Sequence, residues 1–246
     1  MLLRRLVLAI PLLVLALAAP AAAQTPITGL EERLANPTAP PAEPVPWTQL
    51  DEEAAFLAAV DGGSERMAID VLGQSAQGRA LRLARIGAPG PRSVAEAAAG
   101  QAVLLICSQH GDEPAGREGC LRQIRTLALS DDPAVVEHLR TTSVMVMPAA
   151  NPDGRQANTR ENAQGVDVNR DHLDPVTPEA EAIDTVVRDL RPDVVADMHE
   201  YNSRPLYDTE LLYLWPRNRN VDPTVHALSR DLSEDYIEPG AERVGK

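Results

Sequence analysis

Two histidines and a glutamate stand where two apolar segments of the chain end. His110 and Glu113 follow the apolar run at 102–108, and His199 follows the run at 193–198. Runs of this length are typical of buried strands, and open α/β sheets place their ligand sites at the carboxyl ends of such strands. Two imidazoles and one carboxylate form a zinc site that keeps a fourth position for water, which is the catalytic pattern. The sequence therefore predicts one Zn²⁺ ion held by these three side chains.

Each ligand also has a simpler interpretation. On a turn between a strand and a helix, residues i and i+3 point the same way, so His110 and Glu113 can hold one ion. Pairs of this kind also occur by chance as ordinary charges at a helix start. His199 ends an apolar strand between Asp197 and Glu200, where a core position favours an apolar residue. The alternative for His199 is a ring satisfied by a backbone carbonyl.

The other histidines and the two cysteines are weaker candidates for chemistry. We expect His138 and His226 to lie on solvated faces, and His172 to support the site without binding metal. Cys107 lies on the strand before His110, and Cys120 lies on the following helix. In an oxidising compartment the two cysteines can pair. Otherwise they are buried thiols that behave as small apolar residues.

The periodicity of the chain predicts the elements that position these residues. A short helix is expected to start near Thr48 or Asp51, followed by a hairpin of strands at 67–72 and 80–86. Strands and helices then alternate, with predicted strands at 102–108, 142–147, 193–198 and 210–215, helices at about 114–129, 178–190 and 223–235, and a helical turn after 131–133. This alternation predicts an α/β fold with a mixed, mostly parallel sheet and helices on both faces. The polar segment 148–176 is predicted to be a long functional loop.

The first residues are typical of a secretory signal peptide, with Arg4 and Arg5 before an apolar stretch and small residues before Gln24. The predicted boundaries are a signal peptide at 1–23, a Pro/Ala-rich leader at 24–47 and a catalytic domain at 48–246. An uncleaved anchor is the alternative, although the stretch is short for a membrane span. We expect a periplasmic or secreted monomer that is not membrane-bound after cleavage. The net charge of −13 argues against nucleic acid and anionic membranes as partners.

The sequence from about residue 65 to 235 resembles the zinc carboxypeptidases of the carboxypeptidase A type. Four stretches carry the resemblance, in the family's order: Gly73–Arg79 (GQSAQGR), His110–Glu113 (HGDE), Asn151–Gly154 (NPDG) with Arg160–Arg170 (RENAQGVDVNR), and Asp197–His199 (DMH). The longest of them, the segment up to Arg170, is the most specific.

The resemblance implies roles for the loop residues. Asn169 and Arg170 correspond to the residues that bind the terminal carboxylate of the substrate, and an amide with a guanidinium fork suits that task. Arg160 corresponds to the arginine that polarises the scissile carbonyl. The implied partner is a peptide or peptide-like substrate with a free C-terminal carboxylate. The alternative for each arginine is a surface salt bridge, a common fate in an acidic protein.

The resemblance also implies a general-base glutamate on a later strand, well beyond the third zinc ligand. Only 47 residues follow His199 in this sequence. Glu234, Glu238 and Glu242 fall on or just after the last predicted helix, so we expect the base to be missing. A truncated chain is one explanation, and a natural protein that binds zinc and a peptide end without hydrolysis is the other.

Three functions are compatible with these features. The first is a zinc metallocarboxypeptidase. The second is an acyl-amino-acid amidohydrolase of the desuccinylase and aspartoacylase type, which shares the two-histidine, one-glutamate site. The third is a non-catalytic zinc- and peptide-binding protein. The Asn151–Gly154 segment and the loop up to Arg170 favour the first.

Overall fold

The computed structural model describes residues 47–201, 212–216, 218 and 220–243. They fall into two compact units, divided after Tyr201. In the first unit the helices are α1 (Leu50–Gly62), α2 (Val94–Ala99), α3 (Pro114–Leu129), α4 (Pro133–Thr141), α5 (Pro152–Ala157) and α6 (Pro178–Leu190). The strands are β1 (Met67–Gln74), β2 (Ala80–Ile86), β3 (Gln101–Cys107), β4 (Thr142–Met147) and β5 (Val194–Met198).

The five strands form one sheet in the order β1-β2-β4-β3-β5. β2 pairs antiparallel with both β1 and β4. β3 lies between β4 and β5 and pairs parallel with both. Only β2 therefore opposes the direction of the other four strands. The prediction of a mixed sheet is confirmed.

Helices cover both faces of this sheet because successive side chains of a strand point to opposite faces. Leu104 and Ile106 of β3 belong to the apolar cluster that includes Ile183 and Val186 of α6. Cys107 follows Ile106 directly, so its side chain points to the opposite face, where it forms a disulfide with Cys120 of α3. α6 and α3 therefore lie on opposite faces of the sheet. α2 packs against α6, and α1 packs against α3.

The contact between α1 and α3 contains buried charges. Arg117 of α3 is fully buried and its Nε lies 3.1 Å from Oε2 of Glu53 on α1. The hydroxyl of Thr48 donates to Oε2 of Glu118 over 2.8 Å. Burial raises the pKa of Glu53, and the positive charge of Arg117 opposes this effect.

The second unit contains the helix α7 (Pro223–Leu232), a π-helical turn at Ser233–Ile237 and the helix α8 (Glu238–Arg243). The carboxylate of Asp222 accepts a hydrogen bond from the amide of Thr224 over 2.8 Å and so caps α7. The hydroxyl of Tyr213 donates to Oε2 of Glu238 over 2.8 Å.

Two predicted elements are wrong. The segment 148–176 is not a continuous loop, because it contains α5 and a 3₁₀ turn at Val168–Arg170. Both are too short to produce a detectable helical period. The strand predicted at 210–215 is not formed over 212–215, and residues 210–211 lie outside the described residues. α2 was not predicted, and the hairpin strand β1 extends to Gln74.

The remaining predicted elements within the described residues are confirmed, including the hairpin, the alternating strands and helices, and the helix that begins at Leu50. The predicted signal peptide and nearly all of the leader lie outside the described residues. Within the described part of the chain, the helices are too short or too polar to cross a membrane.

Candidate metal centre

The loop that carries His110 and Glu113 leaves β3 through a sharp turn. Ser108 follows the strand with a φ of 58°, in the left-handed region that few residues with side chains adopt. His110 is buried, and its carbonyl accepts a hydrogen bond from the amide of Glu113 over 3.3 Å. Glu113 directly precedes α3, which begins at Pro114. Both side chains are thereby held between the end of a strand and the start of a helix.

His199 reaches the same place from β5. Cys107 and Met198 are register partners on the adjacent parallel strands β3 and β5, so the residues after them emerge side by side. Nδ1 of His110 lies 2.8 Å from Oε1 of Glu113, and Nδ1 of His199 lies 2.8 Å from Oε2 of the same carboxylate. One ligand atom from each residue lies within 4.8 Å of the others.

A second pair of carboxylates faces the far side of the two imidazole rings. Nε2 of His110 lies 3.1 Å from Oδ1 of Asp167, and Nε2 of His199 lies 2.8 Å from Oδ2 of Asp197. An ionised carboxylate only accepts hydrogen bonds, so each Nε2 can donate a proton to the aspartate that it faces. In that neutral tautomer each Nδ1 faces the Glu113 carboxylate with a lone pair.

This arrangement fits a zinc ion. Two Nδ1 lone pairs that face one carboxylate repel it, and a cation held between them removes the repulsion. Histidine ligands of zinc commonly donate their other ring N–H to a carboxylate, which fixes the ring and increases its basicity. The donor set of two nitrogens and one oxygen leaves a fourth tetrahedral position for water. Among the described residues, His110, Glu113 and His199 form the single group that suits a metal ion.

The pKa values of the site follow from the same contacts. Burial acts against protonation of His199, but hydrogen bonds to Asp197 and Glu113 outweigh it and raise its pKa to about 9. Burial acts to raise the pKa of Glu113, but hydrogen bonds from His199, the Glu200 amide and His110 leave it below its ordinary value. The hydrogen bonds to Asp197 and Glu113 therefore favour the charged form of His199.

Arg160 lies beside the three candidate ligands. Its Nε and Nη2 donate to Oδ2 of Asp167 over 3.0 and 2.8 Å. Its Nη1 lies 3.2 Å from Nδ1 of His110 and 3.7 Å from Oε1 of Glu113. Asp167 thus holds both the His110 ring and the guanidinium group. The side chain of Arg160 remains 39% exposed, so a ligand can reach it.

Asn169 and Arg170 occupy the 3₁₀ turn at Val168–Arg170. Nδ2 of Asn169 lies 2.9 Å from Nε2 of His199, which brings this amide to the centre. Arg170 is exposed, and its Nη1 donates to the carbonyl of Asn169 over 2.7 Å. The carboxylate of Asp167 accepts a hydrogen bond from the amide of Asn169 over 3.0 Å. The turn therefore links the two predicted substrate residues to the residue that holds His110.

The sequence interpretation missed the partners of the ligands. Asp167 was not singled out, and Asp197 was noted only as a neighbour of His199. Asp197 precedes His199 by two residues, which places both side chains on one side of an extended chain, and this spacing was a usable signal.

His172 lies near the site through Gln109, whose Oε1 is 2.9 Å from Nε2 of His172. The carboxylate of Glu200 accepts from the amide of Ala115 at the start of α3 over 3.0 Å.

The sequence profile of the family described as zinc carboxypeptidase matches residues 54–193, more than half of the chain. The chain belongs to the zinc carboxypeptidase family. The match includes His110 and Glu113 and ends before His199. The third candidate ligand, His199, is therefore located by the pairing of β5 with β3 rather than by the profile.

Curated relatives of this zinc carboxypeptidase chain carry carboxypeptidase names. Carboxypeptidase E of Caenorhabditis elegans is 38% identical over 119 residues, which is 42% of this chain and 24% of the relative. Carboxypeptidase 2 of Trichophyton rubrum is 30% identical over 152 residues, 58% of this chain and 27% of the relative. The matched region thus spans about a quarter of the length of these relatives.

Solved structures agree with the fold. A metallo-carboxypeptidase from Burkholderia cenocepacia has a TM-score of 0.54 at 27% identity, covering 62% of this chain and 41% of that one. A metallo-carboxypeptidase from Pseudomonas aeruginosa, solved in complex with (2-guanidinoethylmercapto)succinic acid, has a TM-score of 0.51 at 27% identity. Its match covers 62% of this chain and 40% of that one.

Proposed function

We propose that this chain is a zinc metallocarboxypeptidase that acts on the C-terminal bond of peptides. The observation that carries the proposal is the convergence of His110, Glu113 and His199, whose ligand atoms lie within 4.8 Å of one another. A bound zinc ion would lower the pKa of a water molecule and polarise the scissile carbonyl. Membership of the zinc carboxypeptidase family supports hydrolysis of peptides over the other reactions of such a site.

The residues around the three ligands would hold them for this task. Asp167 and Asp197 lie 3.1 and 2.8 Å from the Nε2 atoms of the two histidines and would accept their protons, which would leave both Nδ1 atoms available to the metal. The substrate-facing residues would be Arg160, Asn169 and Arg170. Arg160 would donate to the oxyanion that forms from the scissile carbonyl, because its guanidinium lies beside Glu113.

Arg170 and Asn169 would bind the terminal carboxylate of the substrate. Arg170 is exposed on the turn that carries Asn169, and a guanidinium group can hold a carboxylate through two parallel hydrogen bonds. The Pseudomonas relative was solved with a succinic acid derivative, a molecule that carries carboxylates. That complex supports a carboxylate-binding site in this family.

Hydrolysis by a metal-bound water also requires a general base that transfers protons. The carboxylates at the centre are already engaged: Asp167 with Arg160, Asp197 with His199, and Glu200 with the amide of Ala115. We therefore propose that these carboxylates position other groups rather than act as the general base.

Zinc binding is the first test. The wild-type protein should bind one zinc ion, and the double variant His110→Ala, His199→Ala should bind none. The control is His226→Ala, which removes a histidine from α7 in the other unit. Zinc content that survives the double change, measured by atomic absorption after dialysis, would contradict the proposal.

Substrate binding is the second test. Zinc-loaded protein should bind a short peptide with a free C-terminal carboxylate and should bind the same peptide less well when its C-terminus is amidated. Arg170→Met should remove this difference. An N-acyl amino acid that binds better than the peptide would favour the amidohydrolase alternative.

We also propose a periplasmic or secreted location, supported by the charged and apolar pattern of residues 1–23. An N-terminus that begins near Gln24 in protein recovered from the periplasm or medium would support it. Size-exclusion chromatography with light scattering tests the expected monomer.

A further inference from the structure

The segment 150–155 forms hydrogen bonds with most of the loop that carries His110 and Glu113. This loop, residues 107–113, is called the metal-binding loop. Four carbonyl groups, from Cys107 to Gln109 and of Gly111, accept from donors that lie between Ala150 and Arg155. The amide of Ala150 donates to Cys107, the amide of Asn151 to Ser108, Nδ2 of Asn151 to Gln109 and Nη1 of Arg155 to Gly111, over 2.9, 3.0, 3.1 and 3.0 Å. The shape of the loop is therefore set by this segment as well as by its own sequence.

Within the segment, the side chain of Asn151 makes contacts in three directions. It is completely buried. Its Oδ1 accepts from the amide of Gly154 over 2.9 Å, and its Nδ2 donates to the carbonyls of Gln109 and Arg160 over 3.1 and 3.4 Å. The orientation of the amide is unambiguous, because an N–H group faces one end and two carbonyl groups face the other.

These two carbonyl groups belong to the two halves of the candidate site. Gln109 directly precedes the ligand His110, and Arg160 is the arginine beside Glu113. We propose that Asn151 is a positioning residue that fixes the distance between the metal-binding loop and the Arg160 guanidinium. This inference rests on the proposed function, since it assigns Asn151 to the site that holds zinc and polarises the carbonyl.

The substitution Asn151→Asp separates this role from simple packing. Aspartate has nearly the same shape and still accepts the hydrogen bond from Gly154. It cannot donate to Gln109 or Arg160, and an ionised carboxylate repels both carbonyl oxygens. The positions of His110 and Arg160 should then shift, although the volume of the core is unchanged.

The experiment compares the wild type with Asn151→Asp and with the control Asn158→Asp. Asn158 lies at the end of the same helix, α5, and accepts a hydrogen bond from Nη1 of Arg155 over 3.2 Å. A carboxylate can still accept that bond, so the same chemical change is harmless at Asn158. Zinc affinity is measured by competition with a chromophoric chelator, and ligand geometry by the visible spectrum of the Co²⁺-substituted protein.

Loss of partners that orient metal ligands commonly weakens metal binding about 10- to 100-fold. We expect Asn151→Asp to bind zinc at least about 10-fold more weakly and to alter the Co²⁺ spectrum, with Asn158→Asp within about twofold of the wild type. Wild-type affinity and an unchanged spectrum in folded Asn151→Asp would overturn the inference and leave the proposed function intact. A wild-type protein that binds no zinc would overturn both.

If Asn151→Asp does not fold, the wild-type protein still decides the question by NMR. The two side-chain amide protons of Asn151 should exchange slowly with solvent and should shift during a zinc titration together with the His110 ring. Rapid exchange, or signals that do not respond to zinc, would overturn the inference.

Discussion

Gly111 lies where two backbone segments meet at the metal-binding loop, and its replacement by alanine should have a large effect. A Cβ atom at Gly111 would lie 1.9 Å from the carbonyl carbon of Gly154 and 2.2 Å from the amide nitrogen of Arg155. Ordinary van der Waals contact begins at 3.4 Å. The loop must therefore move by about 1.5 Å, because backbone atoms cannot rotate out of the way as a side chain does.

The cost follows from what this movement breaks. Overpacking a tight interior costs about 1–3 kcal/mol. The displacement also breaks the hydrogen bonds that Gly111 and Gln109 accept from Arg155 and Asn151, at about 1 kcal/mol each. We expect Gly111→Ala to lower the free energy of unfolding by about 3–5 kcal/mol. A movement of this size also exceeds the few tenths of an ångström that a zinc site tolerates, so zinc affinity should fall steeply.

Gly119→Ala is the matched control. Gly119 lies within α3, and a Cβ atom there would have no neighbour within 4 Å. Alanine is the better helix former by about 0.5–1 kcal/mol, so this variant should be slightly more stable than the wild type. Urea unfolding followed by circular dichroism, with zinc affinity measured in parallel, compares the two variants. Equal unfolding midpoints for Gly111→Ala and Gly119→Ala would refute the close approach of the two segments.

The disulfide between Cys107 and Cys120 closes a loop with a sequence separation of 13 that contains two of the candidate zinc ligands. Reduction of this disulfide should lower the free energy of unfolding, measured in urea, by about 3 kcal/mol, because the unfolded chain regains the entropy of the closed loop. The double variant Cys107→Ala, Cys120→Ala should not respond to reductant. A wild type and a double variant that respond equally to reductant would contradict this account. Burial raises the pKa of Glu179, so the folded state favours its protonated form and this residue should contribute a loss of stability as pH rises above 4.5. Glu179→Gln should remove that loss, whereas Glu181→Gln, on the exposed side of α6, should keep it. The free energy of unfolding is measured from pH 4 to 8. Parallel profiles for the wild type and Glu179→Gln would show that Glu179 is not responsible.

The spacing of apolar residues predicted the longer strands and helices of the fold. The strand at Gln101–Cys107 and the helix at Pro178–Leu190 were predicted nearly to the residue, because apolar spacing alone indicates which side is buried. The pattern failed in the segment 148–176, where α5 is held by the side chain of Asn151 and by contacts with the metal-binding loop. Such short elements depend on tertiary partners, which no local period reveals.

The sequence by itself determined that two apolar segments of strand length are followed by a histidine, and that a glutamate follows the first histidine at helical spacing. It also determined the residue types available for zinc and for a carboxylate, because those depend on chemistry and local spacing. Only the tertiary structure decided that β3 and β5 are neighbours, since strand pairing depends on burial across long separations in sequence. It also decided which groups orient the ligands, because Asp167 and Asn151 reach the site through loops whose paths are set by distant contacts.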